Sequence, residues 1–321
     1  MYLPPNVRCA AMIPVLLLGA GCAARRGAAV QRYEYAQLHM GVQARLIVYA
    51  ESEQTAANAA KAAYSRVAEL EDITSDYRPT SELIRLCARA GQGPVNVGAE
   101  LFTLLTHAQD LSRRSGGAFD VTVGPYVQLW RAARKSKQLP APQALEEART
   151  RVGWELMTLN AGNRTVELTT PGMRLDLGGI AKGYAGDEAI RVLRGHGIRS
   201  ALFEAGGDIV VSDAPPGKKG WAVEVVGDDS QGRRTVEVVN RGISTSGDTE
   251  QFVEIDGVRY SHVVDPRTGL GLTQRYAATV IARDGITSDS LSTAACVLGP
   301  QEGAKLVTSY PSARAYIRRM K

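Results

Sequence analysis

Aromatic residues make up only 6% of the 321-residue chain, and lysine and arginine never gather in a run longer than a few residues. There is no zinc-finger or RNA-binding signature either. The chain therefore offers no basic, aromatic-studded surface for nucleic acid, although its formal charge is +5 and its pI is near 9.0. Cysteine is scarce. Cys9, Cys22, Cys87 and Cys296 form no CxxC pair, and no His/Cys cluster carries zinc spacing, which argues against a structural zinc site or a disulfide scaffold. Cys87 and Cys296 sit among apolar neighbours and read as buried thiols rather than reactive ones. Neither the P-loop pattern nor the GxGxxG of a Rossmann fingerprint occurs. Internal repeats and low-complexity tracts are missing too.

What is present is enough for a large core: 44% of residues are hydrophobic and 22% charged, and 33 glycines suit many tight turns. The modest positive charge favours an anionic small molecule or an anionic membrane surface. At the N-terminus, Arg8 precedes an apolar run from Cys9 to Ala20, interrupted by Pro14 and too short to span a membrane as a stable helix. Its size and small-residue ending are those of a secretory signal. Leu18-Gly19-Ala20-Gly21-Cys22 resembles a bacterial lipoprotein signal, with the leucine one place further from the cysteine than usual; a plainly cleaved signal is the alternative. The expected layout is a signal peptide over 1–21, a tether over 22–31 beginning at a lipidated Cys22, and a functional domain over 32–321 on the periplasmic side of a bacterial envelope.

Alternation at Val42, Ala44, Leu46 and Val48 predicts a strand, paired with Tyr33 to Leu38 across Met40-Gly41. Helices are expected over Glu53 to Glu71, after Ser81, over Ala99 to Arg114, from Pro125 to about Lys135 and from Pro142 to Val152. Hairpins follow at Glu155 to Asn160 with Thr165 to Thr169, Trp221 to Val226 with Arg234 to Val239, and Phe252 to Ile255 with Val258 to His262. Ser200 to Phe203 and Ile209 to Val211 read as strands about a Glu204-Ala205-Gly206-Gly207-Asp208 turn, and Arg275 to Ala282 as the last clear core strand. Ile286 to Leu298 and Gln301 to Ser309 read as helices. The fold class is α+β, with strands and helices mixed in one body.

The stretch from Met173 to Leu193 organises the rest. Leu175 and Leu177 alternate with Arg174 and Asp176 as in a half-buried strand; Gly178-Gly179 breaks it, and apolar residues from Ala181 onward recur at helical spacing. A strand-to-helix elbow of this kind leaves backbone N–H groups for a phosphate at the positive end of a helix, with Lys182 as an added cation. An ordinary turn with solvated charges would look the same. Asp289, Ser292 and Thr293 share one face of a later helix, a weak magnesium set or merely a cap. His262, where a strand leaves its sheet, is a general base or a structural side chain. The runs Gly117 to Asp120, Gly206 to Asp208 and Ile243 to Asp248 are individually ordinary turn chemistry.

Taken in order, GGAFD, LDLGGIAKGYAGD, AGGD, ISTSGD, HVVDPRTG and SDSLSTA before VLGP resemble the FAD:protein FMN transferases, the ApbE-type flavin transferases, from about Met40 to Pro311. The resemblance implies a single ApbE-like, T-fold-related α+β domain that binds FAD and Mg2+. It implies that the FMN portion of FAD moves to a threonine or serine hydroxyl of an acceptor protein with release of AMP. Carried over by motif, flavin contacts fall on Met40, Tyr77, Ala118, Phe119, Asp120, Asp176, Lys182 and Val263. The metal site falls on the Gly179 carbonyl, Asp289, Ser292 and Thr293, and the catalytic candidates are His262 and Asp289. Glu204 replaces the family's usual asparagine, and Ser290 and Ser292 its usual alanines. An FAD pyrophosphatase yielding FMN and AMP, or an envelope FAD-binding lipoprotein without chemistry, are the alternatives.

Overall fold

The computed structural model describes residues 29–226, 233–247 and 252–320. The signal segment, Cys22 and Asp248 lie outside them. Met40 and Gly41 both take positive φ, 50° and 75°, the backbone of a two-residue turn whose twist matches its strands. They join β1 (Gln31–His39) to β2 (Val42–Ala50). Five further strands continue the sheet: β3 (Ala201–Ala205), β4 (Asp208–Val211), β5 (Arg241–Ser246), β6 (Tyr276–Ala282) and β7 (Arg314–Arg319). Spatial order follows chain order, and every neighbouring pair is antiparallel.

Two helical excursions leave this meander. Between β2 and β3 run α1 (Glu53–Thr74), α2 (Glu82–Cys87), α3 (Ala99–Arg114), α4 (Gly124–Ser136), α5 (Pro142–Arg149) and α6 (Ala181–Gly195). Between β6 and β7 runs α7 (Gly285–Thr308), which Gly299, at φ 76°, and Pro300 break into the two helices expected there. Alternation along β2 sorts the layers. Ala44, Leu46, Val48 and Ala50 pack with α1 and α6, whereas Ile47 faces the hairpin Trp221–Val226 with Arg233–Val238 on the sheet's other side. The stripe Leu101, Leu104, Leu105, Ala108 and Leu111 of α3 is buried as its spacing requires. Cys87 and Cys296 are buried free thiols, and burial pushes the Cys87 thiol up.

Three expectations need correction. Met173 to Leu177 keeps its alternating burial, but it is an extended segment with a single bridge, Arg174 to Val123, rather than a strand. Its N–H groups go elsewhere: Asp176 donates to the Val121 carbonyl at 2.8 Å and Leu175 to the Cys87 sulfur at 3.3 Å. Ile243 to Ser246 belongs to central strand β5 instead of a turn. Its hydroxyls are satisfied side chain to side chain, as where Ser244 meets Ser288 at 2.9 Å. Finally, β7 follows the strand read as the last; its arginines mask an alternation in which Ala315 and Ile317 face the main core.

Helices α6 and α7 meet at the level of their backbones. A Cβ on Gly183 would lie 2.1 Å from the Gly285 carbonyl oxygen, and one on Gly285 would lie 2.3 Å from the Gly183 oxygen. By contrast, Gly195 at the end of α6 has nothing within 4 Å of a Cβ. Gly183→Ala is expected to lower stability by about 1–3 kcal/mol through overpacking. Gly195→Ala should be neutral or stabilising by up to about 1 kcal/mol, as for alanine replacing glycine in a helix. Denaturant melts of the two variants check this, and equal midpoints would contradict the packing account.

Candidate active site

The crossing of α6 and α7 is clasped from both sides by carboxylates. Asp187 of α6 accepts the N–H groups of Gly285 (2.6 Å) and Ile286 (2.9 Å) at the start of α7. Asp289 of α7 accepts those of Gly183 (2.9 Å) and Lys182 at the start of α6. Each helix thus supplies the anion that its partner's positive end favours. Asp284 caps α7 as well, accepting from Thr287 at 3.2 Å. Burial nevertheless pushes the Asp187 carboxyl up to about 7.

The elbow entering α6 is built by Asp176, whose side chain accepts the Gly178 N–H at 2.7 Å. Ile180 and Ala181 donate to the Leu177 carbonyl at 3.1 and 2.9 Å. With Lys182 and Gly183 bound to Asp289, most of the amides that the sequence left open for a phosphate have partners inside the chain. Positive charge for an anion therefore comes from the Lys182 side chain and from the helix dipole.

Lys182 Nζ lies 2.8 Å from Asp208 Oδ2, 3.1 Å from the Gly178 carbonyl and 3.9 Å from Asp289 Oδ2. Burial first and Asp208 second push the Asp289 carboxyl up to about 7, against the pull of the Lys182 ammonium. The same carboxylates raise Lys182 against its own desolvation. Ser246 Oγ of β5 lies 2.8 Å from Ser292 Oγ and 3.1 Å from Thr293 Oγ1. Gly179 presses on this group, since a Cβ there would sit 2.9 Å from Thr293 Oγ1 and 3.4 Å from the Phe119 ring. Asp289 and Ser292 are buried, whereas Gly179, Lys182, Ser246 and Thr293 are half-buried, so the corner opens on one side.

The structure thus brings Gly179, Lys182, Asp289, Ser292 and Thr293 into one corner. Asp176 stands beside it, tied to the 76–79 turn by Arg131, which bridges Asp76 (2.5 Å) and Asp176 (3.3 Å) and lies 4.2 Å from the ring of the exposed Tyr77. The Ala118 and Phe119 side chains are core, so these two present backbone and a ring edge rather than open surface. Met40 is half-buried against both large core clusters. His262 is exposed, and Val263 donates its N–H to Ser261 Oγ at 3.1 Å. Their turn is held to α4 where Trp130 Nε1 donates to the Gly269 carbonyl at 2.8 Å, and Arg267 reaches the Gly117 loop. Of the departures, Glu204 pairs with Arg45, Ser290 with His107 at 3.2 Å, and Ser292 with Ser246.

Arg131, Asp187, Asp208 and Ser246 carry weight that the sequence reading did not give them. Asp208 and Ser246 stood in noticed motifs without a role. No spacing links Arg131 to Asp76 or Asp187 to Gly285, because each contact crosses between elements far apart in the chain.

The fold that carries this corner is shared with solved flavin transferases. The flavinyl transferase ApbE of Pseudomonas stutzeri in its apo form superposes with a TM-score of 0.80 at 26% identity, covering 91% of this chain and 92% of that one. The flavin transferase ApbE of Vibrio cholerae gives 0.80 at 27%, covering 91% and 94%. The FAD:protein FMN transferase of Treponema pallidum is 34% identical over 318 residues, 94% of this chain and 88% of its own. The model of the ApbE family matches residues 40–317, and the chain belongs to that family.

Asp120 is buried and accepts from the Thr122 N–H (2.8 Å) and hydroxyl (2.7 Å), yet burial pushes its carboxyl up to about 6. A raised carboxyl binds its proton more tightly folded than unfolded. Its ionisation therefore removes stability as pH rises from about 4 to about 6, by up to about 3 kcal/mol. Asp120→Asn retains an oxygen for Thr122 and deletes the titration. Denaturant melts at pH 4.5 and 7 should show the wild type losing ground to this variant by that order; parallel profiles would contradict it.

Proposed function

We propose that the chain is an FAD:protein FMN transferase that moves the FMN portion of FAD onto a threonine or serine hydroxyl of an acceptor protein and releases AMP. The observation that carries this reading is the half-open corner in which Lys182, Asp289 and Thr293 surround the Gly179 elbow, in a chain of the ApbE family.

The corner fits Mg2+. The side-chain donors at hand are all oxygens, the Asp289 carboxylate and the hydroxyls of Ser246, Ser292 and Thr293, which suits a hard cation that keeps few protein ligands and takes the rest from water and phosphate. Among the described residues no group of three or more His, Cys, Asp or Glu competes as a metal cluster. Asp289, Thr293, Ser292 and the Gly179 carbonyl would hold the ion, which supplies charge neutralisation at the phosphates. Lys182, carried on the elbow, adds a fixed positive charge where negative charge grows as the acceptor oxygen attacks the FMN-side phosphorus. A P–O bond forms to the acceptor, the P–O bond to AMP breaks, and His262 receives the hydroxyl proton. Asp176, locked by Gly178 and Arg131, and Tyr77 beside it offer a polar group and an exposed ring to the flavin.

The N-terminal segment reads as a lipoprotein signal, and we place the enzyme on the periplasmic side of a bacterial envelope, anchored at Cys22. Among the described residues no helix is long and apolar enough to cross a membrane. A Cys22→Ser variant that stays as firmly membrane-bound as the wild type would contradict the anchor.

Incubation of the soluble domain with FAD, Mg2+ and a candidate acceptor, followed by mass measurement, should show an FMN-sized gain on the acceptor and AMP in solution. AMP without that gain would mean hydrolysis, and neither would mean binding alone. Asp289→Ala is expected to abolish Mg2+-dependent AMP release, and unchanged turnover in it would contradict the metal assignment.

A further inference from the structure

Asp208 has no part in the reaction as proposed, yet it makes the shortest contact to the Lys182 ammonium, 2.8 Å against 3.9 Å for Asp289. It is buried, and it opens β4 just after Gly206 and Gly207, both at positive φ. That turn fixes where its carboxylate points, opposite Ser244 in the register of β5. The two carboxylates therefore approach one ammonium from different elements, Asp208 from the sheet and Asp289 from α7.

We infer that Asp208 is a positioning residue: it tethers the Lys182 ammonium to the sheet and so keeps it from closing onto Asp289, leaving the Asp289 carboxylate able to take a divalent cation. The inference rests on the proposed Mg2+ site. An ammonium has three donors, and Gly178 and Asp208 already take two directions at hydrogen-bond distance. Without the Asp208 charge, the nearest remaining anion is Asp289, and a buried ammonium–carboxylate contact at hydrogen-bond distance would compete with the cation for the same oxygens. Asp208 would thus act on metal binding only through Lys182.

Direct titration of the unliganded protein with Mn2+, followed by calorimetry and by the electron spin resonance of free Mn2+, tests this without turnover. Asp208→Asn should weaken binding about tenfold, and Asp208→Glu should recover most of it. Lys182→Met should bind at least as tightly as the wild type. In the Lys182→Met background, adding Asp208→Asn should change affinity less than twofold, because no ammonium is left to release. The same tenfold loss in that background would mean that Asp208 acts by its own charge or by structure, and would overturn the tether. Weakened binding by Lys182→Met alone would overturn it too, even if Asp208→Asn failed to fold. Wild-type binding that Asp208→Asn leaves unchanged sinks this inference and spares the metal site. Absence of Mn2+ binding by the wild type sinks both.

Discussion

Two glycines facing each other across a helix crossing hold this molecule's chemistry in place. Where Gly183 meets Gly285, the backbones of α6 and α7 approach within the space of a missing Cβ, and only there can Asp187 and Asp289 each reach the other helix's first turn. The clasp is electrostatically sensible, since each carboxylate meets a positive helix end. It is also strained by burial, since the Asp187 and Asp289 carboxyls are both pushed up to about 7. Asp289 thus has a structural duty toward α6 and, in the proposed reaction, a chemical one toward the open corner beside it.

The sheet explains why that crossing exists. A meander in chain order needs no helices for its connectivity, and the long excursion between β2 and β3 returns through α6, laid along the strands it re-enters. Gly186 lets α6 lie close, as a Cβ there would meet Val210 at 2.6 Å. The excursion between β6 and β7 lays α7 beside it, with Ser244 and Ser246 of β5 pairing with Ser288 and Ser292. Small residues at the meeting points let a polar seam of hydroxyls and carboxylates run through the interior with its hydrogen bonds satisfied.

Much of this was readable in the chain. The periodicity of α3, the Ser81 cap, the Met40-Gly41 hairpin and the break at Gly299-Pro300 each rest on local rules, and each stands in the fold. The elbow before α6 was legible as a turn but misread as a strand and as a set of open amides. Whether a peptide group is free depends on Val121, Cys87 and Asp289, none of them local to it. Strand β5 was hidden by its serines, and β7 by its arginines. Within the site, motif order located Gly179, Lys182, Asp289, Ser292 and Thr293 together. Arg131, Asp187 and Asp208 acquire meaning only from partners brought near by folding.

The central claim is that one corner, fixed by the α6–α7 crossing, holds both the cation and the pyrophosphate of FAD. A crystal structure with Mn2+ and FAD, the ion located by its anomalous scattering, tests it most directly. The account predicts an Mn2+ peak in contact with Asp289 and Thr293 and with a phosphate oxygen of FAD beside Lys182. An ion bound away from Asp289, or a pyrophosphate bound away from the elbow, would contradict it.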